Sequence, residues 1–119
     1  GKPYWRIRIG IHTGPVVAGV IGARKFSYDI WGDTVNTASR IENGGKIGCV
    51  CISSQTHDLV RDFFDCEFYA NVHAKGKGEL PVFIAKSIKR DLSRDDECLA
   101  PNQEFSRMYS GLASARPRP

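Results

Sequence analysis

No stretch of this chain approaches the roughly 20 consecutive apolar residues that a helix needs to cross a bilayer, and the opening Gly-Lys-Pro-Tyr-Trp carries no signal-peptide pattern. A soluble, cytoplasmic setting is the expectation. The four cysteines, Cys49, Cys51, Cys66 and Cys98, form no Cys-x-x-Cys and meet no paired histidine spacing, which disfavours a zinc site or a disulfide framework. Cys49 and Cys51 fall on one face of a strand and suit buried thiols in a reducing compartment. Positive charge is modest: the formal net charge is +4, and much of the excess sits in Lys86, Lys89, Arg90 and the Arg116-Pro117-Arg118-Pro119 end. Nucleic-acid binding would want a concentrated basic stripe with stacking aromatics or a known module, and neither is present. There is no Gly-x-x-x-x-Gly-Lys-Ser/Thr phosphate loop and no internal repeat.

What remains is a chain of 119 residues with an ordinary apolar fraction of 41%, enough for one domain or part of one. Arg6 to Ile11 alternates with period two, so Ile7, Ile9 and Ile11 share one strand face. Thr13-Gly14-Pro15 reads as a bend. The apolar run Val16 to Ile21 suits a buried strand or a close backbone approach at Gly19. Tyr28 to Trp31 is a short strand leading into Gly32. Asp33 is an expected helix N-cap, because its carboxylate can accept from first-turn amides. The helix should run from Thr34 to Glu42 and stop at Gly44-Gly45. At about 100° per residue, Val35, Ala38 and Ile41 share one side of it and Asn36 and Arg40 lie roughly opposite. Gly48 to Ile52 reads as an interior strand. Ser53 should cap a second helix with Leu59, Val60, Phe63 and Phe64 as its apolar stripe. Strands at Glu67–His73 and Leu80–Ile88 flank a Lys75-Gly76-Lys77-Gly78 loop. Residues 1–90 form the structured portion. Residues 91–119 read as a polar C-terminal tail, in which Phe105, Met108, Tyr109 and Leu112 stand at helical spacing.

The run Tyr28-Asp29-Ile30-Trp31-Gly32-Asp33-Thr34-Val35-Asn36-Thr37-Ala38-Ser39-Arg40 places an amide and a guanidinium one helical turn apart, a pair able to face a polyanion. Taken singly, each element has an ordinary structural reading. Asp29 could pair with Arg24 or Lys25, Asn36 and Arg40 could be a solvated helix face, the Lys-Gly-Lys-Gly loop could be a plain hairpin turn, and His12 and His73 read as structural strand residues. Their joint order and spacing, together with Arg8-Ile9-Gly10-Ile11-His12-Thr13-Gly14-Pro15-Val16-Val17-Ala18-Gly19-Val20-Ile21-Gly22, strongly resemble the class III nucleotide cyclases, the adenylate and guanylate cyclase catalytic domains. The resemblance runs from about Trp5 to about Ile88 and is nearly continuous from Gly10 to Arg40.

The resemblance implies an α+β fold. It would be a partial ferredoxin-like (βαββαβ-type) catalytic domain, with a mostly antiparallel sheet and helices on one face. It also implies roles. Arg40 matches the transition-state arginine, Asn36 the asparagine that orients the ribose, and Lys75 the lysine that reaches the triphosphate. Asp29 falls where the family selects its base, and Ile30 matches a residue whose backbone meets the base. An aspartate at that position is similar to adenylate cyclases. Adenine's exocyclic amine donates a hydrogen bond that a carboxylate accepts, whereas guanine O6 can only accept.

The family's two metal-binding aspartates belong to segments upstream of Trp5, so this chain has no expected metal ligand. The Mg²⁺ or Mn²⁺ of the complete domain would be held by residues outside it. The resemblance covers roughly half to three-fifths of the family's domain, which is of ordinary domain size. The expectation is therefore part of an adenylate cyclase, converting ATP to cyclic AMP and pyrophosphate in intracellular signalling. It would be inactive alone and act as a homodimer or as a pseudo-heterodimer with another cyclase domain. ATP is the expected ligand, with no nucleic acid and no direct membrane insertion by this segment, although the parent could be the cytoplasmic part of a membrane-attached protein. The alternatives are a guanylate cyclase fragment and a non-catalytic regulatory or dimerisation module.

Overall fold

A computed structural model describes residues 6–21 and 27–115, with side-chain surroundings for residues 6–16 and 32–112. Four strands, β1 (Ile9–Ile11), β4 (Val50–Ser53), β5 (Phe64–Ala74) and β6 (Gly78–Ile88), form one sheet in the order β1-β4-β6-β5. β1 and β4 are parallel, and the β4–β6 and β5–β6 pairs are antiparallel. The fold is thus α+β with a mostly antiparallel sheet, as expected. Between them in sequence, β2 (Val17–Ile21) and β3 (Ser27–Trp31) pair as a separate antiparallel ribbon. Parallel neighbours need a crossover connection, and here it carries α1 (Asp33–Gly44) across the sheet.

α1 packs because its apolar positions recur at helical spacing. Ile41 is fully buried with Cys51, Val82 and Ile84, and Cys49 and Val72 close the edges of that cluster. Burying a side chain of that size stabilises the fold by about 1.5–3 kcal/mol. Thr37 is buried on the same helix. The approach to β1 is set by Gly10, where an added Cβ would lie 2.5 Å from the Glu42 backbone nitrogen. Ile9 and Ile11 flank that contact and face away from α1, with Ile7, Ile9 and Ile11 left 53%, 44% and 43% exposed. The single strand face expected for these three is therefore an open one.

Asp33 does not cap the helix. Gly32 holds the N-cap position at φ 124° with no side-chain cap bond, because a left-handed cap residue is most easily glycine. Asp33 instead occupies the first turn, where a carboxylate complements the helix dipole, and forms an ion pair with Lys77.

α2 (Ser54–Val60) begins on the expected cap: Ser53 Oγ accepts from the Thr56 amide at 3.2 Å. It ends earlier than its apolar stripe suggests. Phe63 falls in the following turn and Phe64 opens β5, since these two aromatics pack on Ile88 and Leu92 rather than continuing the helix. α2 takes the sheet face opposite α1, where His57 stacks on Phe83 with ring centroids 4.0 Å apart. The expectation of helices on one face therefore fails: alternate residues of β6, Val82 and Ile84 against Phe83, give each face its own apolar surface to cover.

The residues after Arg90 carry more structure than a polar tail suggests. A short 3-10 turn, Arg90–Leu92, buries Leu92, and α3 (Gln103–Ala115) brings Phe105, Met108 and Leu112 onto the Phe63–Ile88 cluster. The connection is hydrogen-bonded throughout. Asp95 accepts from Ser93 Oγ and from the Leu99 and Ala100 amides, and Asn102 caps α3 by accepting from the Phe105 amide at 3.0 Å.

Candidate active site

The solvent-facing side of α1 meets the tip of the β5–β6 hairpin in a cleft of about 540 Å³, lined by Asp33, Asn36, Ser39, Arg40, Asn43, Ala74, Lys75 and Lys77. Helical periodicity accounts for one wall: residues 36, 40 and 43 are spaced by four and three, so they share a face. The hairpin supplies the other wall. Its connection is Lys75-Gly76-Lys77, closed by the Lys77 amide donating to the Ala74 carbonyl at 3.0 Å. Gly76 and Gly78 stand at φ 79° and 73°, the left-handed region a tight turn of this kind requires.

Three of the site residues expected from sequence, Asn36, Arg40 and Lys75, therefore line one cleft. Asp29 and Ile30 lie on β3, opposite Gly19 and Ala18 of β2, and β3 leads through Gly32 into α1. Their side chains lie outside the described residues, as do Arg24 and Lys25. Among the cleft residues Asp33 is the one carboxylate against three cations, Arg40, Lys75 and Lys77. The Arg40 and Lys75 side chains make no hydrogen bond or ion pair with any described residue, whereas Lys77 is neutralised by Asp33. The arrangement suits a polyanion with several phosphates.

It does not suit a divalent metal. The one carboxylate is taken by an ammonium group, and among the described residues no group of three or more His, Cys, Asp or Glu comes together to hold a cation. A second charged hollow, of about 440 Å³, holds Lys46 and a Lys86 that is paired with Glu67. Two further hollows are apolar. One lies between α2 and α3 around Leu59, Phe63 and Phe105, and the other lies over Ile11, Ile52 and Ala85. The first has no charged residue in its lining, and the second has only Lys86, which Glu67 neutralises.

A polar network fixes the bend beside the cleft. His12 Nδ1 lies 2.7 Å from Ser53 Oγ, Ser53 also contacts Thr56 Oγ1 at 3.2 Å, and Thr13 Oγ1 meets Thr56 Oγ1 at 2.8 Å. Thr34 Oγ1 donates to the Pro15 carbonyl, tying the start of α1 to the same bend. Burial holds the His12 imidazole below its ordinary value; the Asp33 carboxylate pulls it up and the Lys77 ammonium pushes it down.

Ser39, Asn43, Lys77 and the role of Asp33 were missed in the sequence. Ser39, three residues after Asn36, and Asn43, three after Arg40, could have been found by completing the i, i+3, i+4, i+7 face that Asn36 and Arg40 begin. The Asp33–Lys77 pair joins distant segments and leaves no local signal.

The sequence model described as the adenylate and guanylate cyclase catalytic domain matches residues 3–87. An adenylate cyclase of Mycobacterium bovis is 43% identical over 87 residues, covering 71% of this chain and 20% of that protein. The guanylate cyclase domain of RhGC from Catenaria anguillulae, solved in complex with GTP, superposes with a TM-score of 0.64 at 38% identity, covering 69% of this chain and 45% of that one. The adenylyl cyclase CyaB from P. aeruginosa gives a TM-score of 0.64 at 33% identity, covering 72% and 45%. The chain belongs to the adenylate and guanylate cyclase catalytic domain family. It spans about a fifth of the length of the mycobacterial relative and under half of either solved chain.

Proposed function

We propose that this chain supplies the base, ribose, transition-state and triphosphate contacts of an adenylate cyclase site, which converts ATP to cyclic AMP and pyrophosphate. The convergence of Asn36, Arg40 and Lys75 on one cleft carries this reading. In the reaction the ribose 3′ hydroxyl gives up its proton as its oxygen bonds the α-phosphorus, and the bridging bond to the β-phosphate breaks to release pyrophosphate. Phosphoryl chemistry of this kind is accelerated mainly by positioning and charge neutralisation. Asn36 orients the ribose through its amide. Arg40 offers its planar guanidinium to the oxygens of the crowded α-phosphorus, and Lys75 holds the terminal phosphates as a point charge. Asp29 accepts from the adenine amine, with Ile30 beside the base.

Magnesium or manganese is the metal of the complete site. Its carboxylates come from outside the described residues, in a homodimer or a pseudo-heterodimer with another cyclase domain, and the setting is cytoplasmic. The 38% identical guanylate cyclase domain supports a second reading, GTP as substrate, against which Asp29 argues. A non-catalytic regulatory or dimerisation module is the third, and the retention of both Asn36 and Arg40 in the cleft argues against it.

The test is cyclic nucleotide production with Mn²⁺, ATP and GTP in parallel, by the purified chain and by a longer polypeptide carrying the upstream half of the domain. The short chain should be silent. The longer one should make cyclic AMP in excess over cyclic GMP, and Arg40→Ala should abolish it. Turnover that survives Arg40→Ala overturns the reading.

A further inference from the structure

We infer that Asp33 and Lys77 form a latch that pins the β5–β6 turn to the first turn of α1, so that Lys75 is held facing the Asn36–Arg40 side of the cleft. The inference rests on the nucleotide reading of that cleft and assigns its two lysines different tasks.

The hairpin end needs such a restraint. β4 pairs with β6 only over residues 82–85, so from Asn71 to Pro81 the β5–β6 pair is a two-stranded ribbon with no third strand beside it among the described residues. Ribbons of two strands are marginally stable and twist freely. Two contacts hold this one to α1, Val72 lying tight against Gly44 and Lys77 pairing with Asp33, and Ala74 between them is 1% exposed. The ion pair is the one made from the turn itself, two residues from Lys75. Its geometry is asymmetric. The Lys77 side chain is 30% exposed, laid along the protein surface, while Asp33 is 74% exposed at the helix start. Lys77 is thus committed to the protein, and Lys75, which has no partner among the described residues, is left to meet a ligand. Asp33 and Lys77 are positioning residues, and Lys75 makes the contact.

One consequence runs against simple charge counting. Asp33 is a carboxylate on the rim of a cationic cleft, so its removal should strengthen phosphate binding if Coulomb attraction alone were at work. The latch requires the opposite.

The experiment titrates the 119-residue chain with inorganic tripolyphosphate by calorimetry and measures amide order at Lys75–Lys77 by nuclear relaxation. The expected result is that Lys75→Ala loses binding. Asp33→Asn and Lys77→Met should each weaken it about fivefold, the size a well-placed, partly exposed ion pair carries, and the double variant should be no worse than either single one. Amide order at Lys75–Lys77 should fall equally in all three latch variants, with the pairing between residues 82–85 and β4 undisturbed. Tighter binding in Asp33→Asn, additive losses in the double variant, or unchanged amide order each overturn the latch. Undiminished binding in Lys75→Ala, or no binding by the wild-type chain, overturns the nucleotide reading instead, and the latch then stands or falls on amide order alone.

Discussion

Gly10 of β1 and Glu42 of α1 lie in backbone contact, close enough that a Cβ at position 10 would sit 2.5 Å from the Glu42 nitrogen and 2.8 Å from its Cα. Backbone atoms cannot step aside as a side chain could, so the helix itself must move. Gly10→Ala should destabilise the fold by about 1–3 kcal/mol, the range for overpacking a well-filled contact. Urea unfolding followed by circular dichroism measures it. Because α1 carries Asn36 and Arg40, ligand affinity should fall in the same variant beyond what the stability loss explains.

The His12–Ser53–Thr56 network makes a pH-dependent contribution. Burial depresses the His12 pKa in the folded state, so the unfolded chain binds more protons than the folded one as pH falls, and stability rises with pH. This contribution is complete above the ordinary histidine value of 6.5 and is lost as pH drops through that value toward the lower folded one. Unfolding midpoints should therefore fall on acidification from neutral pH, with a smaller slope in His12→Asn. An unchanged slope in that variant would assign the effect to other groups.

Ser53→Ala probes the same network from the helix side. It removes the oxygen that accepts from the Thr56 amide and the partner of His12 Nδ1. Loss of an N-cap costs about 1 kcal/mol, and Ser53 is buried, so the freed groups cannot turn to water for replacement. A larger loss than in a solvent-exposed cap, measured by thermal unfolding, is the expected outcome.

Helix α1, the β5–β6 hairpin and the shared face of Asn36 and Arg40 could be read from the chain because their signals are local, whereas Lys75, 35 residues further on, is joined to them only by the family resemblance. Periodicity of 3.6 sets a helix face, and Gly76 and Gly78 mark a tight turn. Where the reading fell short, the deciding contact was distant in sequence. Asp33 looks like a cap until Lys77 is brought beside it, and the preceding glycine takes the cap instead. Phe63 and Phe64 fit a helical stripe until α3 arrives to cover them with Phe105. The region after Arg90 looks polar because three apolar residues, Phe105, Met108 and Leu112, secure α3 on one side only.

The identity of the base is the sharpest remaining question, and it turns on one carboxylate. Asp29 is proposed to accept from the exocyclic amine of adenine. Guanine presents an acceptor, O6, at the equivalent edge, and a carboxylate facing it would leave two acceptors in contact with no proton between them. A mismatch of that kind at a buried polar contact is worth about 1–3 kcal/mol, or roughly fivefold to 150-fold in discrimination. In a polypeptide carrying the whole domain, Asp29→Cys should lower kcat/KM for ATP and raise it for GTP, because a thiol can donate weakly to O6 and repels it less. Asp29→Asn distinguishes charge from hydrogen bonding: its amide can both donate and accept, so it should accept either base with reduced preference. If Asp29→Cys keeps full discrimination for ATP, the base is read elsewhere, and Asp29 on β3 returns to a structural role.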